Sequence, residues 1–141
     1  MMTRALLGLL LALGLAAPAV ADDAPLTGLT VGVGETWIFR VQDGQPADAR
    51  KAAADEQPAS GEIKVSLSGP KGRQLSVINN SPATYNYRAF ITSKPGKPGK
   101  RTSVCTIMSN RRVGLETWSD RFPALRITDF VPVEEGRMQC S

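Results

Sequence analysis

Apolar and polar residues alternate in short runs along most of the chain, and a period of two is typical of β-strands. The first run places Trp37, Phe39 and Val41 on one face, with Thr36 and Arg40 on the other. No ten-residue stretch after residue 21 keeps a helical period. Similar alternating runs recur between turns rich in glycine, proline or asparagine, over residues 63–67, 75–78, 85–92, 102–108, 113–118 and 125–131.

Seven or eight short strands separated by turn signals predict an all-β fold. We expect an immunoglobulin-like β-sandwich, because the strand number and the domain length suit it, and a small β-barrel is the alternative. Tyr85 and Tyr87 share a face with Ala89, which predicts that they belong to the core. In the last run, Leu125, Ile127 and Val131 are expected to share a face with Asp129.

Residues 45–60 interrupt the alternation. They include six alanines, two prolines and five charged residues, and no large apolar side chain. Because such a segment lacks the side chains that bury a face, we expect a mobile Ala-rich insertion between two strands. A short helix over residues 48–56 is the alternative, since alanine and charged residues favour helices.

The first 21 residues differ in kind from the rest. Arg4 supplies a positive charge, residues 5–17 contain only Leu, Ala and Gly, and small residues precede Asp22. This order is typical of a cleaved secretory signal peptide, and the apolar run is shorter than the roughly 20 residues of a membrane span. We therefore expect residues 22–141 to form a single β domain, periplasmic or secreted, with no stable membrane anchor after cleavage.

Residues 34–39 resemble the opening strand of many small exported bacterial β-proteins, through Gly34, Glu35, Trp37 and Phe39. The resemblance identifies no family. The chain contains two cysteines, Cys105 and Cys140. Export would place them in an oxidising compartment, where an isolated pair predicts a disulfide.

The charge is unevenly distributed. Residues 22–62 carry eight acidic and three basic side chains, whereas residues 63–141 carry five and thirteen. Outside the cytoplasm, a basic surface favours an anionic envelope component or another exported protein as partner, not nucleic acid. The densest cluster lies in a proline-glycine connection and is our candidate anion-binding site: Lys94, Lys97, Lys100 and Arg101. Alternatively, these cations only protect a sheet edge from aggregation.

Catalytic signals are weak. The chain has no histidine, which excludes a Ser-His-acid triad and histidine metal ligands. Gly32 and Gly34 lack the third glycine and following helix of a dinucleotide site. We therefore predict no catalytic residue, no metal and no cofactor, and an exported non-catalytic binding or accessory protein at the bacterial cell envelope. The alternatives are a small secreted hydrolase using carboxylates such as Glu116 and Asp120, or an inhibitor of a partner enzyme.

Overall fold

The computed structural model describes residues 25–141 and the isolated Gly14. The predicted signal peptide, residues 1–21, lies outside the described residues apart from Gly14. Within the described part, the chain forms strands only, and none of it is a helix long and apolar enough to cross a membrane. The strands are β1 (Leu29–Gly32), β2 (Thr36–Gln42), β3 (Gln45–Lys51), β4 (Glu62–Ser68), β5 (Arg73–Asn80), β6 (Thr84–Thr92), β7 (Lys100–Thr102), β8 (Arg112–Trp118) and β9 (Ala124–Val133).

The strands form two antiparallel sheets that pack face to face. Sheet A has four strands in the order β1-β9-β6-β7, and sheet B has five in the order β3-β2-β4-β5-β8. This is a β-sandwich, the architecture that immunoglobulin-like domains share, so the predicted fold class is confirmed over the barrel alternative. Nine strands form instead of seven or eight. β3 and the short β7 occupy segments predicted to be connections, β1 precedes the first predicted run, and residues 103–108 form no continuous strand.

The core lies between the sheets. Inward-facing residues of the strands form most of it, and Val104, Ile107 and Phe122 add to it from the connections. Phe39 of sheet B and Tyr87 of sheet A both contact Phe130, with ring-centroid distances of 5.5 Å and 5.3 Å. Tyr87 and Ala89 are buried, and Tyr85 packs against the cluster. The prediction that this strand faces the core is therefore confirmed.

A β-bulge in β9 corrects the face predicted for its second half. The β6–β9 register shifts by one residue between Asn86 and Arg88, and Asp129 takes a positive φ of 55°. One extra residue reverses the inward and outward sides of a strand. As a result Phe130 points into the core, and Val131, which alternation placed beside Leu125, is 56% exposed.

Residues 45–51 also differ from the predicted loop, since they form β3 and pair with β2 from Gln42↔Gln45 to Trp37↔Lys51. The turn between them has positive φ at both Asp43 and Gly44, the geometry for which an Asp-Gly dipeptide is the strongest short hairpin signal. Because an edge strand is stabilised mainly by backbone hydrogen bonds, β3 can form even though its side chains are small or polar.

Residues 52–61 lie against the outer face of sheet B. Lys64 Nζ donates a hydrogen bond to the Ala54 carbonyl oxygen at 2.5 Å, and Asn80 Nδ2 donates to the Pro58 carbonyl at 2.8 Å. Ile38 lies on that face beside Lys64, and both are buried. The two hydrogen bonds hold the segment over the face on which Ile38 is buried.

The predicted disulfide between Cys105 and Cys140 is present. It ties the C-terminal residues alongside residues 104–106, where Thr106 N donates to the Gln139 carbonyl at 2.8 Å. Segment 102–108, predicted as one strand, instead continues past β7 through single bridges at Cys105 and Ile107. A disulfide is compatible with an oxidising, exported environment.

We predict that the double variant Cys105→Ser/Cys140→Ser loses about 2–4 kcal/mol of unfolding free energy, because the loop it opens no longer restricts the unfolded chain. Urea unfolding followed by Trp fluorescence measures this loss. The wild-type protein under reducing conditions is the matched control and should lose a similar amount. Equal stability of oxidised and reduced wild type would contradict a stabilising role.

A second prediction concerns Tyr87, whose buried hydroxyl has no hydrogen-bond partner. Burial raises the pKa of this phenol, so the group stays neutral. Because an unpaired buried hydroxyl is costly, Tyr87→Phe should leave stability unchanged or raise it by up to about 1 kcal/mol. Tyr85→Phe, on the same strand, is the control. A clear loss of stability in urea unfolding of Tyr87→Phe would show that the hydroxyl does have a partner.

Candidate functional site

At one end of the sandwich, strand ends from both sheets lie close together. Antiparallel pairing brings the beginning of β2 beside the end of β3, and the end of β6 beside the beginning of β9. A cleft of about 400 Å³ opens there. The residues that give it its chemistry are Glu35, Trp37, Lys51, Lys94, Pro95 and Pro123.

Glu35 organises the floor of the cleft. Its Oε2 accepts hydrogen bonds from Gly32 N and Trp37 Nε1, both at 2.8 Å. Its Oε1 lies 3.1 Å from Lys51 Nζ. These contacts, above all the indole N–H bond, lower the pKa of the Glu35 carboxyl. The side chain is therefore an anion that fixes the orientation of the indole ring.

Lys51 stands beside the indole because it is the direct partner of Trp37 across β2 and β3. Its Nζ lies 5.7 Å from the ring centroid, within the range of a cation–π contact. The Lys51 side chain is nevertheless 65% exposed. Its positive charge therefore remains accessible from the cleft.

Lys94 forms part of the opposite wall. The hydroxyl of the buried Thr92 donates to the Lys94 carbonyl at 3.0 Å and to the Lys97 carbonyl at 3.2 Å. A further backbone bond, from Lys97 N to the Lys94 carbonyl, closes the turn. Pro95 lies within this turn, so the hydrogen bonds and the proline ring together restrict the backbone at Lys94.

The predicted four-cation site is divided by the fold. Lys100 pairs with Ile91, and Arg101 pairs with Phe90. Neighbouring residues of a strand point to opposite faces, so these two side chains diverge. Phe90 also pairs with Arg126, whose guanidinium carbon lies 4.3 Å from the Phe90 ring centroid. Lys94 is thus the member of the predicted set that lines the cleft, and anion binding by the set stays a prediction.

Sequence reasoning missed the three cleft residues Glu35, Trp37 and Lys51 as a group. Trp37 was assigned to the apolar face of its strand, and Lys51 to an unstructured insertion. The Asp43-Gly44 dipeptide was the available signal, because a two-residue hairpin turn folds residues 45–51 back along β2. The regular register of that hairpin would pair Trp37 with Arg50. A one-residue bulge in β3, where Asp48 has a positive φ of 51°, shifts the register so that Lys51 lies opposite Trp37.

The carboxylates considered for catalysis occupy different settings. Glu116 Oε1 accepts a hydrogen bond from Cys105 N at 2.6 Å, whereas Asp120 is exposed in the connection after β8. Among residues 25–141, no group of three His, Cys, Asp or Glu side chains is arranged to hold a metal ion.

Comparison with family models, with curated proteins and with solved structures finds no match to this chain. Its functional assignment therefore depends on the geometry and charge of its own residues.

We predict that Glu35→Ala lowers the unfolding free energy by about 1–2 kcal/mol, because the N–H groups of Gly32 and Trp37 lose their acceptor. Glu35→Gln keeps one acceptor oxygen and should lose less. Urea unfolding of the three proteins at neutral pH measures the difference. Equal losses for Ala and Gln would mean that charge alone, and not hydrogen bonding, explains the contribution of Glu35.

The lowered pKa of Glu35 also gives this contribution a pH dependence. A carboxyl whose pKa is lower in the folded state stabilises the protein fully above its unfolded pKa. Here the reference value is 4.5, and the contribution is lost as the pH falls below it. Wild type should therefore lose more stability than Glu35→Gln over that acidic range, as measured by urea unfolding at a series of pH values.

Proposed function

We propose that this chain is an exported, non-catalytic binding protein of the bacterial cell envelope, periplasmic or secreted, and that it holds an anionic envelope polymer in the cleft at the end of the sandwich. The observation that carries the proposal is that Lys51, whose Nζ lies 5.7 Å from the Trp37 ring centroid, and Lys94, from the turn after β6, line the same cleft as Trp37. Two cations and an aromatic ring in one cleft provide both charge attraction and an apolar contact surface.

The electrostatics favour an anion. The carboxylate in the cleft, Glu35, is already bonded to Gly32, Trp37 and Lys51. Lys51 stays largely exposed, and Lys94 lies in an exposed turn. Both lysines are therefore accessible to an incoming anionic group. Attraction of this kind concentrates ligands of the opposite charge.

The walls favour a polymer over a single small ion. Trp37, Pro95 and Pro123 give the cleft apolar surface between its polar groups. Binding sites commonly combine such surface with a few placed polar groups. The turn that carries Lys94 is already ordered, so binding costs less conformational entropy than ordering a free loop.

A non-catalytic role agrees with the state of the cleft carboxylate. A general acid of a glycosidase needs a raised pKa, whereas the pKa of Glu35 is lowered. Of the two carboxylates predicted as catalytic candidates, Glu116 is bonded to the backbone beside the disulfide, and Asp120 is exposed in the connection after β8. Glu35 and Glu116 support local structure, which favours binding over hydrolysis.

The test compares binding to alginate, a carboxylate polymer, with binding to neutral dextran by microscale thermophoresis. Lys51→Gln/Lys94→Gln should weaken alginate binding at least tenfold, equivalent to about 1.4 kcal/mol. Arg111→Gln/Arg137→Gln removes the same charge at the opposite end of the sandwich and is the matched control. Added salt should weaken binding, because exposed charges are screened over about 8 Å at physiological ionic strength.

Equal losses in the two double variants would show nonspecific attraction to the basic surface and overturn the cleft assignment. Binding to dextran as strong as binding to alginate would overturn the anionic ligand. Protein-dependent release of reducing sugar from alginate would favour the hydrolase alternative.

A further inference from the structure

The outermost strands of a sheet expose unpaired backbone N–H and C=O groups, and most edges carry features that prevent pairing with another chain. In the described structure, β3 contains Pro46, which has no N–H, and ends in Arg50 and Lys51. The edge strand β7 is three residues long and begins with Lys100 and Arg101. The edge strand β1 has only four residues.

The fourth edge, β8, differs from the other three. It extends over seven residues, Arg112–Trp118, without proline or lysine. Within the described chain it pairs with β5 on one side, and no strand pairs with the other. Val113 and Leu115 point outward from sheet B and are each 60% exposed. A long edge with exposed apolar side chains is suited to pairing with another strand.

We propose that β8 pairs antiparallel with β8 of a second copy of this chain, with the two-fold axis at Gly114. This register places Val113 of each copy opposite Leu115 of the other, twice. It also places Arg112 opposite Glu116, twice. A two-fold interface requires a surface that is complementary to itself, and the sequence of β8 has this property about Gly114.

The charges of β8 favour a second copy of this chain as its partner. Among residues 25–141, neither Arg112 nor Glu116 takes part in an ion pair. Glu116 Oε1 accepts from Cys105 N, which leaves Oε2 for the guanidinium of the second copy. Oppositely charged and apolar cross-strand pairs both stabilise antiparallel pairing. In this register each of the two charged side chains lies opposite a side chain of the other sign, and Val113 lies opposite Leu115.

Pairing of this kind joins the two five-stranded sheets into one continuous sheet of about ten strands, formed by the backbone hydrogen bonds of β8. The contact is confined to one strand from each copy, which is small compared with a stable protein interface. The dimer should therefore be reversible and should form at micromolar to millimolar concentration.

Sedimentation velocity over a concentration series is the first test. Wild type should associate as concentration rises. Arg112→Glu places like charges opposite each other at both pairs and should reduce the association constant at least tenfold. Arg121→Glu makes the same charge change at an exposed position outside β8 and should leave association unchanged. A monomer throughout the series, or equal effects of the two variants, would overturn the proposal.

Cross-linking tests the register. Val113→Cys and Leu115→Cys alter exposed positions, so the fold should tolerate each. Under mild oxidation, a mixture of the two variants should form a disulfide-linked dimer, whereas each variant alone should form little. Preferential cross-linking of Leu115→Cys with itself would instead place the axis at Leu115. That outcome, or the absence of cross-linking in the mixture, would refute pairing about Gly114.

Discussion

The bulge at Asp129 is the constraint on which the arrangement of the two sheets depends. It inserts one residue into β9 and turns Phe130 inward, where its ring contacts Phe39, Tyr85 and Tyr87. Phe130 N also donates to the Gly44 carbonyl at 2.7 Å, and Asp129 Oδ1 accepts from Gln45 Nε2 at 2.8 Å. The bulge therefore joins β9 of sheet A to the β2–β3 hairpin turn of sheet B, both through the core and through hydrogen bonds.

The position of that hairpin has consequences at the opposite end of the sandwich. Because β3 pairs with β2 and a one-residue bulge near Asp48 shifts their register, Lys51 lies beside Trp37. Glu35 then bonds the indole N–H and the lysine ammonium, and the turn after β6 adds Lys94 across the cleft. A single cleft with an ordered aromatic ring and two cations thus results from contacts made by both sheets. Our proposed ligand for this cleft is a polymer that carries negative charge.

The cleft and the free edge are separate features with different physical origins. The cleft carries charge in a concave site, whereas β8 presents backbone hydrogen-bonding groups and exposed Val113 and Leu115 along a flat edge. In the proposed antiparallel pairing, the second copy runs in the opposite direction, so the two clefts would lie at opposite ends of the joined sheet.

The sequence by itself determined the elements whose causes are local. Period-two alternation predicted the β-sandwich, turn residues predicted most strand boundaries, and the isolated cysteine pair predicted the disulfide. The first two signals are local because side-chain direction in a strand and the conformation of a turn depend on neighbouring residues. The disulfide was predictable for a different reason, since the chain has only two cysteines. For the candidate site, the sequence identified Lys94 through its charged connection, but it could not show which of the nearby cations share its surface.

The tertiary structure alone decided what depends on contacts between distant segments. The bulge at Asp129 reversed the face of Val131, because a buried aromatic position in the core outweighed strict alternation. Segment 45–60 became a paired strand and a cover for Ile38, since sheet B supplied the backbone and side-chain partners that the segment lacks by itself. Glu35, Trp37, Lys51 and Lys94 meet for the same reason: antiparallel pairing fixes their neighbours, and neighbours across a sheet are not adjacent in sequence.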